Sequence, residues 1–318
     1  MSSTELPRTQ GVPQTPPAAP QSDDSVTVRH VALQGATLVV RRRTPEREGL
    51  EPAVYVHGLG GSALNWTALA GELAGRVDGE AIDLPGFGHS PPPDDGDYSI
   101  TGHSRAVIRY LDAARRGPVH LFGNSMGGAV VTRVAALRPD LVRTLTLVSP
   151  ALPELRPQRS AVPTALLAIP GSGSVFLRLT KDWTPERRTG AVLALCYGDP
   201  ARVSPEGFAE AVTEYERRLT LPYHWEVMER SARGIVDAYT LGGQHGLWRQ
   251  ARRVLAPTLL VYGARDRLVS VRMARKAHRS FPDSRLLVLP RAGHVAMMEY
   301  PRVVARAFGD LLAERGGS

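Results

Sequence analysis

Apolar positions change their period several times along this chain. From Ser25 to Leu33 (SVTVRHVAL) apolar and polar residues alternate, as in a strand with one buried face. Gln34-Gly35 marks a turn and Thr37 to Arg43 a second strand, which together predict an antiparallel hairpin at a sheet edge. The alternation then gives way to short, nearly unbroken apolar runs: Ala53 to His57, Gly79 to Asp83, Val119 to Phe122 and Val142 to Ser149. Such runs suit strands covered on both faces. Helical spacing separates them. Leu64, Trp66, Leu69 and Leu73 share one side, Val107, Ile108 and Leu111 another. Ala129, Val130, Val131, Val134, Ala135 and Leu137 follow the third run and stop at Pro139. Strands alternating with helices predict a parallel sheet with helices on both faces.

From about residue 150 to 254 the strand runs stop. Thr184-Pro185-Glu186 and Ser204-Pro205-Glu206 are helix starts, a capping hydroxyl followed by proline at the first helical position. Phe208, Val212, Tyr215 and Leu219 form one stripe, and a further helix is expected from about Pro222 to Ile235. The alternation resumes with Thr258 to Gly263, a helix over Ser270 to Phe281, the run Arg285 to Leu289, and a last helix from Pro301 bearing Val304, Phe308 and Leu311. The expected organisation is therefore a disordered, Pro- and Ser-rich tail over 1–24, an α/β core over 25–149 and 255–318, and a helical insertion over 150–254.

Composition narrows the partners. The 318 residues are 42% apolar and 22% charged, as in a globular protein, with a net charge of +8. Lysine stands only at 181 and 276, so 37 of the 39 basic residues are arginine. They are scattered, without the long basic blocks or interleaved aromatics of nucleic-acid binding. One cysteine, Cys196, excludes an internal disulfide and a cysteine-rich metal site. The best candidate for a membrane span, Ala165 to Leu179, is broken by Pro170, Gly171 and Gly173. With no apolar signal core at the start, a cytoplasmic location is expected, with no metal or cofactor.

The chemistry centres on Gly123-Asn-Ser-Met-Gly-Gly128, at the junction of a strand and a helix. Ser125 has glycine at minus two and plus two, the arrangement that presents a nucleophile on a sharp turn. A serine hydroxyl needs a base, and the base an orienting carboxylate. Both should come from loops at the carboxyl ends of the strands. Of nine histidines, only His294 follows a strand after Ser125 and a candidate carboxylate. Asp266, just past the strand ending at Gly263, is the expected carboxylate, with Glu154 as fallback. Two N–H donors should hold a developing oxyanion. Met126 follows the nucleophile, and Leu59 lies in His57-Gly-Leu-Gly-Gly61, where glycines permit close approach.

Together, His57-Gly-Leu-Gly60, Asp83-Leu-Pro-Gly-Phe-Gly-His-Ser90, Gly123-Asn-Ser-Met-Gly-Gly128, Gly263-Ala-Arg-Asp266 and Gly293-His294 resemble the α/β-hydrolase superfamily, in its branch with a helical cap. The resemblance implies an eight-stranded, mostly parallel sheet and a cap lying over Ser125. It implies a hydrolase acting on small or medium acyl or aromatic esters, monoacylglycerol among them. Serine at the elbow counts against epoxide opening and halide displacement, which use aspartate there. Carbon–carbon hydrolases of ring-fission products also carry Gly-Asn-Ser-Met-Gly-Gly, but usually with Ser-Gly-Pro-Gly upstream, where this chain has Leu59-Gly-Gly. A binder without turnover is the remaining alternative. Leu155, Leu166, Phe176, Trp183, Tyr215 and Trp225 are the expected substrate-pocket residues.

Overall fold

A computed structural model describes residues 25–154, 158–240 and 246–316; the expected 1–24 tail lies outside them. Eight strands form one sheet: β1 (Val26–Leu33), β2 (Ala36–Arg43), β3 (Glu51–Val56), β4 (Val77–Ile82), β5 (Val119–Asn124), β6 (Val142–Val148), β7 (Thr258–Gly263) and β8 (Ser284–Leu289). Their order is β1-β2-β4-β3-β5-β6-β7-β8. β1 and β2 pair antiparallel, as the alternating hairpin predicts, and β2 joins β4 antiparallel. The remaining pairs are parallel. The strand expected over Gly79–Asp83 starts two residues earlier, because Val77 also pairs with Glu51 of β3.

Two apolar layers sandwich the sheet, and the period of two along each strand sorts side chains between them. Val54 and Val56 of β3 face one layer with Leu121, Leu145, Leu147 and Leu260. That layer is closed by α2 (Ile100–Ala114) and α3 (Met126–Leu137). Ala53 and Tyr55 face the other, closed by α1 (Thr67–Leu73) and α12 (Pro301–Gly316). In that second layer Tyr55 meets Phe122 at 4.7 Å between ring centroids and Trp66 at 5.5 Å, and Phe122 meets Phe308 at 5.0 Å.

Between β6 and β7 the described residues contain no strand. They form α4 (Val162–Leu166), α5 (Ser172–Leu179), α6 (Pro185–Cys196), α7 (Pro205–Leu219), α8 (His224–Thr240) and α9 (Leu247–Ala251). The two predicted caps are made: Thr184 Oγ1 accepts from the Arg187 N–H at 3.3 Å and Ser204 Oγ from the Gly207 N–H at 3.1 Å. α8 runs five residues past the expected end at Ile235, because its buried side, Val227, Ser231, Ala232, Gly234 and Ala238, continues. α9 buries Leu247 and Ala251 in the core layer beside α3. After β7 come α10 (Met273–Ser280) and, after β8, α11 (Ala296–Glu299). α10 starts three residues later than the apolar pattern suggests.

Trp66 is fully buried between Tyr55 and Phe122. Trp66→Ala should lower the unfolding free energy by about 3–5 kcal/mol, the range for deleting a large aromatic from a close-packed core. Equilibrium urea denaturation measures it.

Candidate active site

The sharp turn after β5 is set by close packing. A Cβ at Gly127 would lie 2.3 Å from the Val56 carbonyl oxygen and 2.4 Å from that of His57. One at Gly123 would lie 2.5 Å from Val131 Cγ2, and one at Gly128 2.7 Å from Pro150 Cβ. The strained residue is Ser125 itself, at φ 53° and ψ −118°. Such a conformation costs on the order of 1–3 kcal/mol and survives only when its surroundings over-determine it. They do: the Ser125 N–H donates to the Val148 carbonyl at 3.1 Å, and its carbonyl accepts from Ala129 at 3.2 Å and Ala151 at 2.9 Å. Met126 opens α3, so its N–H has no carbonyl one turn back.

The loop after β3 lies against this turn. A Cβ at Gly58 would sit 3.0 Å from Ser125 Cβ, and Gly60 has φ +66°. His57 fixes the loop. The Leu84 N–H can only donate, so His57 Nε2 accepts at 3.0 Å, and Nδ1 carries the proton toward the Gly58 carbonyl at 2.8 Å. Burial lowers the His57 pKa from 6.5 to about 4, which keeps the ring neutral. These bonds make His57 a brace for the loop. From α7, the Arg218 guanidinium donates to the Gly60 carbonyl and, at 3.4 Å, to Ser62 Oγ.

Asp266 and His294 meet. His294 Nδ1 is 2.9 Å from Asp266 Oδ2, with the His294 and Asp266 side chains 5% and 0% exposed. The other Asp266 oxygen accepts from the N–H groups of Leu268 at 2.8 Å and Val269 at 2.9 Å. Burial alone would raise this carboxyl. The neighbouring His294, the Val269 N–H and the Ser149 hydroxyl outweigh burial and hold it below the usual range. An ionised carboxylate can only accept, so Nδ1 bears the proton and Nε2 is left with a lone pair. The fallback Glu154 takes a backbone hydrogen bond from Ser270, and burial raises its pKa.

Two positioning groups escaped the sequence reading. The Asn124 side-chain amide donates to the Val148 and His294 carbonyls, both at 3.0 Å, and so ties the serine turn to the histidine loop. Glu299, buried at 3% exposure, accepts from the Gly293 N–H at 2.7 Å and from those of Gly198 at 3.0 Å and Asp199 at 3.3 Å. The His294 N–H donates to the Cys196 carbonyl at 2.7 Å. Asn124 was inside the glycine motif, but nothing in the sequence said which carbonyls it reaches.

The expected pocket residues are dispersed. Leu155 lies outside the described residues. Leu166 is 51% exposed. Phe176 and Trp225 pack on each other, 5.6 Å between centroids, and Trp183 lies beneath the Arg187 guanidinium at 4.3 Å. Tyr215 is half-buried beside Arg188. A small cavity beside Gly60 is lined by none of the six, but by Phe87, Arg218, Leu221, His224, Val227 and Met228 with three glycines. Among the described residues no group of three His, Cys, Asp or Glu side chains is placed to hold a metal ion, and no helix is long and apolar enough to cross a membrane.

The sheet and its serine turn define a class, and comparison with known proteins agrees. The sequence model of the family described as "alpha/beta hydrolase fold" matches residues 52–301, and the chain belongs to that family. It is 27% identical over 288 residues to the pimeloyl-[acyl-carrier protein] methyl ester esterase of Neisseria meningitidis, covering 85% of this chain and 81% of that one. It is 31% identical over 261 residues to the dihydrolipoyllysine-residue acetyltransferase component of the acetoin cleaving system of Pseudomonas putida; the match covers 79% of this chain and spans 60% of the relative's length. The crystal structure of Cfl2 from Burkholderia cenocepacia superposes with a TM-score of 0.77 at 19% identity, over 90% of this chain and 95% of that one. The chain is thus an α/β-fold hydrolase with relatives of esterase and lipase type.

Burial also depresses His103, from 6.5 to about 3. For His57 and His103 the unfolded chain takes up a proton near pH 6.5 and the folded chain does not until about 4 and about 3. Their contribution is complete above pH 6.5 and is lost as the pH falls below it, by about 1.4 kcal/mol per pH unit for each group. Urea midpoints should fall between pH 6.5 and 5, and His103→Asn should flatten that slope.

Proposed function

We propose that the chain hydrolyses carboxylic esters through Ser125, His294 and Asp266. The observation that carries the reading is the conjunction of a strained serine at a strand-to-helix turn with a buried His294–Asp266 pair tied to that turn by Asn124. His294 Nε2 takes the Ser125 proton as Oγ bonds to the ester carbonyl carbon. The carbonyl oxygen becomes an oxyanion between the N–H groups of Leu59 and Met126. As the tetrahedral centre collapses, the bond to the alcohol oxygen breaks and His294 returns the proton to it. Water, deprotonated by His294, then attacks the acyl-enzyme; the acid leaves and Ser125 regains its proton. Asp266 stabilises the transient imidazolium without accepting its proton.

In this reading 25–149 and 255–318 form the catalytic core and 150–254 a helical cap. The substrate lies between them, a small or medium acyl ester or an aromatic ester. The esterase relative supports an ester substrate, and Leu59-Gly-Gly in the loop beside Ser125 favours it over a carbon–carbon bond.

Ser125→Ala should abolish turnover of an activated short-chain ester by about three orders of magnitude or more, with the fold unchanged by circular dichroism. Asp266→Asn should cost on the order of 10⁴ in kcat, while Glu154→Gln should leave the rate within about twofold, since the Glu154 carboxyl bonds the Ser270 backbone and it is Asp266 that holds His294. Equal rates for Ser125→Ala and the wild type would refute the mechanism. Faster turnover of a ring-fission dienone than of any ester would move the assignment to carbon–carbon hydrolysis.

A further inference from the structure

Exposed large apolar side chains are concentrated on one segment. Val162, Leu166, Ile169, Val175 and Leu179 are 47%, 51%, 55%, 53% and 76% exposed. On α5 the inward side is fixed by α8: a Cβ at Gly173 would lie 2.6 Å from the Trp225 ring, and Phe176 stacks on that ring. Val175 and Leu179, four residues apart, share one flank of the helix and are both exposed. Val162 and Leu166 repeat that spacing on α4, and Ile169 follows one turn on. α4 and α5 both pack on α8, and each leaves its pair of apolar side chains exposed. Single exposed apolar residues are ordinary; a contiguous ridge marks a contact surface.

The charge of the same segment is one-sided. Residues 158–181 hold Arg159, Arg178 and Lys181 and no Asp or Glu. All three cations are exposed, and among the described residues none forms an ion pair. The nearest acid from the helix beneath, Glu229, is engaged by the N–H groups of Gly171 at 2.9 Å and Gly173 at 2.8 Å. Asp182 follows Lys181 at the segment's end.

We propose that the outer face of α4 and α5 docks the protein onto an anionic phospholipid surface. An apolar ridge with unpaired cations at its flanks matches the boundary where acyl chains meet charged headgroups. A second copy of the chain is a poorer occupant, because a two-fold interface would set the same cations against one another. Since no described helix can span a bilayer, this attachment is peripheral. It does not rest on the role of Ser125, and Ser125→Ala protein should bind as the wild type does.

Co-sedimentation of the full chain with phosphatidylcholine vesicles, with and without phosphatidylglycerol, tests the surface. Partitioning should favour the anionic vesicles by about tenfold or more and weaken with salt. The double variant Val175→Ser/Leu179→Ser should lower binding to anionic vesicles by about tenfold or more. Arg178→Glu/Lys181→Glu should abolish the preference for phosphatidylglycerol. Both should keep the wild-type unfolding midpoint and the wild-type rate on a water-soluble ester. Wild-type protein left in the supernatant with anionic vesicles would overturn the proposal, as would either variant binding like the wild type. A dimer in sedimentation velocity that Val175→Ser/Leu179→Ser dissociates, with no vesicle binding, would assign the ridge to a second copy instead.

Discussion

The approach of α3 to the end of β3 is the constraint from which the site follows. At Gly127 the helix backbone passes so near the Val56 and His57 carbonyls that no side chain fits between them. That contact forces the chain to turn within one residue of β5, and the residue that absorbs the turn is Ser125, at positive φ. A glycine would take this conformation at little cost. A serine there is strained, and the strain is held by three backbone hydrogen bonds to β6, the start of α3 and Ala151. The same approach brings Gly58 against Ser125. The serine hydroxyl and the loop that faces it are therefore products of one packing event, and neither can be loosened alone.

Histidines 57 and 294 show how partners rather than residue type assign a role. Both are buried beside the serine turn, and both have an aspartate within electrostatic reach. His57 has each ring nitrogen engaged by backbone, one accepting from Leu84 and one donating to Gly58. With both nitrogens used, it can only brace the loop. His294 bonds Asp266 through Nδ1, which leaves the lone pair on Nε2. The Asp83 carboxylate meanwhile accepts from the N–H groups of Ala63 and His89, which places the adjoining glycine loop rather than a histidine.

The sheet was legible because its strands are buried on both faces and their apolar runs admit little else, from Ala53 to Val261. The edge hairpin was legible by its alternation. Ser125, Asp266 and His294 were legible as a sequence of strand ends, since position along the chain translates directly into position along one sheet edge. Helix ends were less so: α8 continues past Ile235 because Ala238 packs into the core layer, a tertiary fact. The pocket residues were harder still. Aromatic content marked Trp225 and Phe176, yet these two spend their faces on each other. Met228 and His224, which do line the cavity beside Gly60, carry no local signal. Glu299 is a similar case, an acid in a short helix whose three donors come from the loop just before it and from the distant end of α6.

Those three donors bear on how the helical insertion can move. Gly198 and Asp199 belong to the insertion, Gly293 to the histidine loop, and one buried carboxylate holds all of them. Gly198 and Gly293 also touch so closely that a Cβ on Gly293 would lie 2.3 Å from the Gly198 nitrogen. Withdrawing the end of α6 would strip the Cys196 bond from the His294 N–H and leave the buried Glu299 carboxylate with one donor of its three, at a cost of several kcal/mol. Arg218 imposes a like restraint on α7, since lifting that helix frees the Gly60 carbonyl beside Leu59. α4 and α5 are tied elsewhere. Their ties run to α8, through Glu229 and through the Arg233 bond to the Ala168 carbonyl, and to the loop after β7 through Gln158 and Ser160. The loop after β7 carries Asp266, so moving the start of α4 would strip the Gln158 bond from the Asp266 carbonyl, and α4, α6 and α7 are each tied to a loop beside Ser125, Asp266 or His294.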